Sequence, residues 1–182
     1  MKRWAVKLMR DQALMQAYAN GNSHAFEELY RRHKSAVLVF LRRQSDNYAV
    51  CEELAHDTWL AVINQASFYQ PNAKFKTWLF RIAHNRLVDH WRKHGRSASV
   101  LFEELNEVSL KNDDTSSREF ELKQLLKLLE SLSPEQTETM LLKIEGFSHA
   151  EIADITSSKS ETVKSRLRYA TQHLKSALEA AS

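Results

Sequence analysis

With one cysteine, Cys51, the chain has no second thiol for an intramolecular disulfide and no thiolate set for zinc, which fits a reducing compartment and makes the cytoplasm the expected location. Three glycines and two prolines are few. With alternating β-branched runs also scarce, they exclude a sheet protein built on many tight turns and leave an all-α fold. Long apolar runs are absent too: Val37-Leu38-Val39-Phe40-Leu41 is far too short to span a bilayer, and charge interrupts Met1-Lys2-Arg3-Trp4-Ala5-Val6-Lys7 before a signal-like core forms. The chain is therefore expected not to be membrane-inserted. What is present is 182 residues, 43% hydrophobic and 27% charged, enough to bury one core or two small ones. The net charge of +3 is mild, so it permits a polyanionic partner without demanding one, and clustering has to decide.

The cluster lies between Lys74 and Arg96. Phe75, Leu79, Ile82, Ala83 and Leu87 recur at helical spacing, and Gly95 is a natural stop. Lys74, Lys76, Arg81, Arg86, Arg92, Lys93 and Arg96 face only one acid, Asp89, a local imbalance suited to a phosphate backbone. A basic run is also what a solvated helix face shows, its stems lying over apolar surface. Here Trp78, Phe80 and Trp91 are interleaved with the bases, and aromatics beside Lys and Arg are what stacking of unpaired nucleobases requires.

Upstream, Asp11 is placed to cap a helix carrying Leu14, Ala17 and Tyr18 that ends at Asn20-Gly21, and Ser23 to cap a second with Phe26, Leu29, Tyr30, His33, Val37, Phe40 and Leu41 on one stripe. The first ten residues read as an extension. A third helix, from about Ala49 to Tyr69, turns Ala55, Trp59, Val62, Ala66 and Tyr69 inward, and Glu52, Glu53, His56 and Asp57 cluster near its start, where acids also complement the helix dipole. From Arg96 to Arg118 helical period is lost, and between Glu103 and Glu121 seven acids stand against two bases, the signature of an acidic flexible linker.

A second helical unit begins near Glu119, with Leu122, Leu125, Leu126, Leu129 and Leu132 as its stripe. Ser133-Pro134-Glu135-Gln136, Ser148-His149-Ala150-Glu151 and Ser158-Lys159-Ser160-Glu161 are capping boxes in series, so short helices follow one another as in helix-turn-helix. Val163, Leu167, Ala170, Leu174 and Ala177 form the buried stripe of the last helix. That places Glu161, Lys164, Ser165, Arg168 and Gln172 on its outward, reading side.

Trp78-Leu79-Phe80-Arg81-Ile82-Ala83 followed by Asn85, Asp89 and Arg92 resembles region 2 of sigma factors of the extracytoplasmic-function (ECF) subfamily. Cys51-Glu52-Glu53-Leu54-Ala55-His56-Asp57-Thr58-Trp59 resembles region 2.2, and Leu141 to Ser148 with Glu161 to Leu167 resembles region 4. The resemblance covers about Asp11 to Leu178 and implies a transcription initiation factor with three surfaces. Lys76, Trp78, Phe80, Arg81, Asn85, Arg86, Arg92 and Lys93 would take the melted minus-10 element. Glu161, Thr162, Lys164, Ser165, Arg168 and Gln172 would read the minus-35 duplex. Glu53, Leu54, His56 and Asp57 would dock on core RNA polymerase, His56 standing where the family usually has Gln. Tyr169 and Thr171 stand where relatives often carry Arg.

The implied organisation is an N-terminal region 2-like bundle over 1–95, a linker over 96–118, and a C-terminal four-helix region 4-like unit over 119–182. The implied partners are core polymerase, promoter DNA and an anti-sigma factor that holds the cytoplasmic chain at the inner membrane. No cofactor, metal or small-molecule substrate is expected.

Two other classes compete. A stand-alone helix-turn-helix regulator with a sensing bundle leaves Trp78 to Lys93 unexplained. An enzyme would draw on Cys51, His56 and Asp57, or on His90 and His94 at metal-pair spacing, but adjacent turns of one helix seldom form a nucleophilic site and the histidines lack a third ligand. Size adds a constraint: a compact chain of this length has a radius of gyration of about 16 Å, whereas promoter elements about 17 base pairs apart lie near 60 Å from each other. The chain alone is expected to be compact, with polymerase separating its two heads.

Overall fold

The computed structural model describes residues 6–45, 47–70, 74–94 and 131–181. All regular structure among them is helical: α1 (Asp11–Ala19), α2 (Ser23–Arg42), α3 (Tyr48–Asn64) with a 3-10 turn at Ala66–Phe68, α4 (Phe75–His94), α5 (Pro134–Ile144), α6 (His149–Ile155) and α7 (Ser160–Ala181). None of the described helices is long and apolar enough to cross a membrane. The expected linker, and the stripe from Leu122 to Leu129, lie outside the described residues.

The ends of these helices follow local chemistry. Ser133 and Ser148 each accept from the backbone three residues on, while Gln136 and Glu151 reach back to the cap N–H, completing the two expected boxes. The third is not formed as expected. Ser158 Oγ lies 2.8 Å from Thr156 Oγ1, α7 begins at Ser160, and Glu161 pairs instead with Lys164 at 2.7 Å. Ser157, in the turn between α6 and α7, takes a positive φ of 50°, the left-handed conformation that closes a helix C-terminus. The third helix also stops short of Tyr69, at Asn64, before the 3-10 turn.

Asp11 is likewise not a cap. It is the first residue of α1, and its carboxylate is drawn across to α2, accepting from Arg32 Nη1 at 2.8 Å and lying 2.7 Å from His33 Nε2. Arg32 also donates to the carbonyls of Met9 and Lys7 and to Glu28, while Glu28 receives two bonds from Arg31. This network fastens the segment before α1 onto α2, and Val6 is buried within it, so the segment is part of the packed body.

The core of the first unit is formed by Leu14, Met15, Leu29, Val37, Phe40, Leu41, Phe75, Leu79, Phe80 and Leu87. It does not end there. Leu142, Phe147, Ile152, Ile155 and Val163 of the second unit join the same cluster, so the two units share a continuous apolar interior in which α6 packs on α4.

The Arg31 hydrogen bonds, with Arg32 adding to them against the cost of burial, hold the Glu28 carboxyl at about 2, below its usual 4.5. A depressed carboxylate stabilises the fold fully above 4.5 and loses that contribution as pH falls towards 2. Glu28→Gln is expected to lower stability at pH 7 by about 1–2 kcal/mol and to narrow the difference between urea melts at pH 7 and pH 3. An unchanged difference would separate Glu28 from the acid limb.

Candidate nucleic-acid interface

On α4 the expected strand-binding residues divide into a covered half and an open half. Lys76 is half-buried and donates from Nζ to the Glu145 carbonyl at 2.8 Å and to Glu145 Oε2 at 3.1 Å, with its ammonium 5.0 Å from the centre of the Phe147 ring. Phe80 is fully buried between Phe40 and Phe147, with ring centres 5.3 and 5.0 Å away. It therefore presents no face to a nucleobase in this arrangement. Trp78 is half-buried against Tyr69 and Phe75, at 5.1 and 6.0 Å. Arg81 donates to Asp154 Oδ1 at 2.9 Å. One turn further, Asn85 is exposed and Arg86 half-buried, and at the end of the helix Arg92 and Lys93 are exposed, Arg92 lying 3.2 Å from Asp89.

The residues that cover the first half come from α5, α6 and the turn between them. Glu151 Oε1 accepts from Thr77 at 3.2 Å and pairs with Lys74 at 3.1 Å while its other oxygen takes the Ser148 N–H. Burial works against this carboxylate, but the Ser148 bonds and the Lys74 charge hold it at about 2. Deeper in, His84 Nδ1 lies 2.6 Å from Glu138 Oε1, both side chains nearly excluded from water. Periodicity offers no signal for these acids, because each looks like an ordinary polar position on its own short helix.

The side of α7 expected to read a duplex is open. Val163 and Ala170 are buried, so Glu161, Lys164, Arg168 and Gln172 are exposed, with Thr162 and Ser165 half-buried beside them. The Arg168 guanidinium rests 5.2 Å from the centre of the exposed Tyr169 ring, a cation–π contact that steadies the long side chain on this face.

On α3, Glu53 and His56 are exposed, Asp57 is half-buried, and Leu54 is only 6% exposed, its side chain part of the core. Near His56 a cleft of about 510 Å³ opens between α2 and α3, lined by Tyr30, Lys34, Leu38, Glu52 and Trp59. Tyr30 and Trp59 meet edge to face at 5.0 Å and Lys34 lies over the Tyr30 ring. Tyr30 and Trp59 read as core positions in sequence, and only the meeting of two helices makes them a wall. Phe68, 81% exposed in the 3-10 turn before α4, is a further aromatic that sequence reasoning left out.

Two family models match, sigma-70 region 2 over residues 29–97 and sigma-70 region 4 over residues 122–174. The chain is 34% identical over 143 residues to the RNA polymerase sigma factor CarQ of Myxococcus xanthus, covering 76% of this chain and 80% of that one. It is 31% identical over 156 residues to the ECF RNA polymerase sigma factor SigE of Mycolicibacterium smegmatis, covering 83% of this chain and 60% of the relative. Its fold is similar to the sigma factor RpoE of Bartonella quintana, solved in complex with the anti-sigma factor NepR, with a TM-score of 0.67 and 26% identity over 85% of this chain and 96% of that one.

Proposed function

Because the chain belongs to the sigma-70 family of RNA polymerase sigma factors, in its extracytoplasmic-function branch, we propose that it binds core RNA polymerase and directs it to promoters by reading a minus-35 duplex and a melted minus-10 strand. The observation that carries this reading is the exposed polar face of α7, presented by a helix-turn-helix whose opposite side buries Val163 and Ala170 and half-buries Leu167, Leu174 and Ala177. In this reading the region 2-like unit occupies 1–95 and the region 4-like unit 119–182, joined by the acidic linker over 96–118.

Lys164 and Arg168, with Glu161, Thr162, Ser165 and Gln172, enter the major groove, where side chains of these types hydrogen-bond base edges and phosphates. Lys76, Arg81, Arg86, Arg92 and Lys93 neutralise the phosphates of the opened strand, and Trp78, Phe80 and Asn85 serve its bases. Glu53, His56 and Asp57 form the charged docking patch for polymerase, and Leu54 supports it from beneath, consistent with its burial. An anti-sigma partner is supported by the RpoE structure, whose fold this chain shares. Such a partner would hold this cytoplasmic chain at the inner membrane.

The deciding experiment is run-off transcription on genomic fragments with core polymerase, with and without this chain: discrete new transcripts are expected, and their absence would overturn the reading. On a promoter found this way, Arg168→Ala is expected to weaken duplex minus-35 binding by about 1–3 kcal/mol in a mobility-shift titration. Asp57→Arg is expected to keep its helical circular dichroism while no longer co-purifying with core polymerase, and undiminished co-purification would move the docking site elsewhere.

A further inference from the structure

The contact that covers α4 has the chemistry of the ligand it displaces. Lys74, Lys76 and Arg81, all cations of the basic segment, are met by Glu151, Glu145 and Asp154, so carboxylates occupy positions that strand phosphates would take. Phe147 meets the Phe80 ring edge to face at 5.0 Å and fills the space in front of it, and the Lys76 ammonium sits over the Phe147 ring as well. The three carboxylates come from the end of α5 and from α6, not from α7. The reading side of α7 is turned away from the contact and remains exposed.

We propose that the acidic face of α5 and α6 is a built-in competitor for single-stranded DNA, so that the free chain keeps its duplex-reading helix open while its strand-binding face is sealed. The competition is direct. A strand phosphate and the Glu145 carboxylate both require Lys76, and a nucleobase could reach Phe80 only after Phe147 has left. Duplex contact through α7 is therefore available first, and strand capture follows only when the two units part. The contact is suited to such exchange. Arg81 and Asp154 keep 47% and 44% of their side-chain surface in water, and pairs that exposed add little stability. This inference rests on the promoter-reading function proposed above, and it is tested without polymerase, so that run-off transcription and the present assay can fail separately.

The test uses the full chain and a fluorescein-labelled (dT)20 strand, a probe that needs no knowledge of the promoter because backbone and stacking contacts tolerate any sequence. Glu145→Lys with Asp154→Lys replaces two attractions by repulsions. A control chain, Gln16→Lys, Ala19→Lys, Asn64→Lys and Gln65→Lys, gains the same four units of positive charge as the two reversals, at exposed positions of α1 and the end of α3 away from the contact. The contact variant is expected to bind (dT)20 at least about fivefold more tightly than the parent, the lower end of usual intersite coupling. Its radius of gyration by small-angle scattering should rise, with helical content unchanged by circular dichroism. The control should stay compact and gain less than the contact variant.

An equal gain in the control would assign the effect to net charge and overturn the proposal. So would a contact variant that opens in scattering yet binds the strand no better, or one that stays folded, closed and unchanged in affinity. If the reversals unfold the second unit, the neutral pair Glu145→Gln with Asp154→Asn is measured instead. It is expected to change affinity and radius in the same direction by a smaller factor, and no change in either overturns the proposal.

Discussion

Phe80 is where the two halves of this molecule become one. Its ring touches Phe40 behind and Phe147 in front, so the apolar interior of the first unit continues into the second without a layer of water between them. The polar pairs around it follow from that burial. A lysine drawn against two aromatic rings loses hydration and needs acceptors, which the Glu145 carbonyl and carboxylate supply to Lys76. His84 and Glu138, nearly excluded from water, satisfy each other at 2.6 Å for the same reason.

Such a junction is specific without being strong at its rim. The Lys74 and Arg81 pairs lie towards solvent, where salt screening and side-chain entropy leave ion pairs worth about 0–1 kcal/mol. Cohesion therefore concentrates in the few aromatic and aliphatic contacts beneath. A partner that covers the exposed apolar surface of either unit can exchange its own contacts for these. For a sigma factor the exchange matters, because Lys74, Lys76 and Arg81 on the front of α4 are the cations that the proposed strand contact needs, and here acids of the second unit satisfy them.

The length scale points the same way. The two units share one apolar interior, whereas promoter elements lie near 60 Å apart along B-form DNA. Under the proposed function, engaging both elements requires a scaffold that holds the units apart, a role open to core polymerase. In the closed arrangement the outward face of α7 is exposed while the front of α4 is covered.

Much of this was legible in the residues. The scarcity of glycine and proline, the apolar stripes at 3.6 spacing and the Ser133 and Ser148 boxes determine where helices run, since these features act within a turn or two of chain. The outward face of α7 is legible for the same reason: Val163 and Ala170 settle its orientation, and Arg168 and Gln172 follow. Side chains whose surroundings are set from a distance were not legible. Asp11 looks like a cap but is taken by Arg32 and His33 of α2. Leu54, expected as a docking contact, is packed in the core, and Phe80, expected as a stacking ring, lies between Phe40 and Phe147, burial that their own spacing does not reveal. Glu138, Glu145 and Glu151 bond residues 54 to 74 positions away, and no periodicity in a sequence carries that register. Helix positions and the outward polar face of α7 were determined by the sequence, through interactions between near neighbours in the chain. Which half of the basic and aromatic face of α4 is covered was decided only by tertiary structure, because it depends on how two separately patterned surfaces meet.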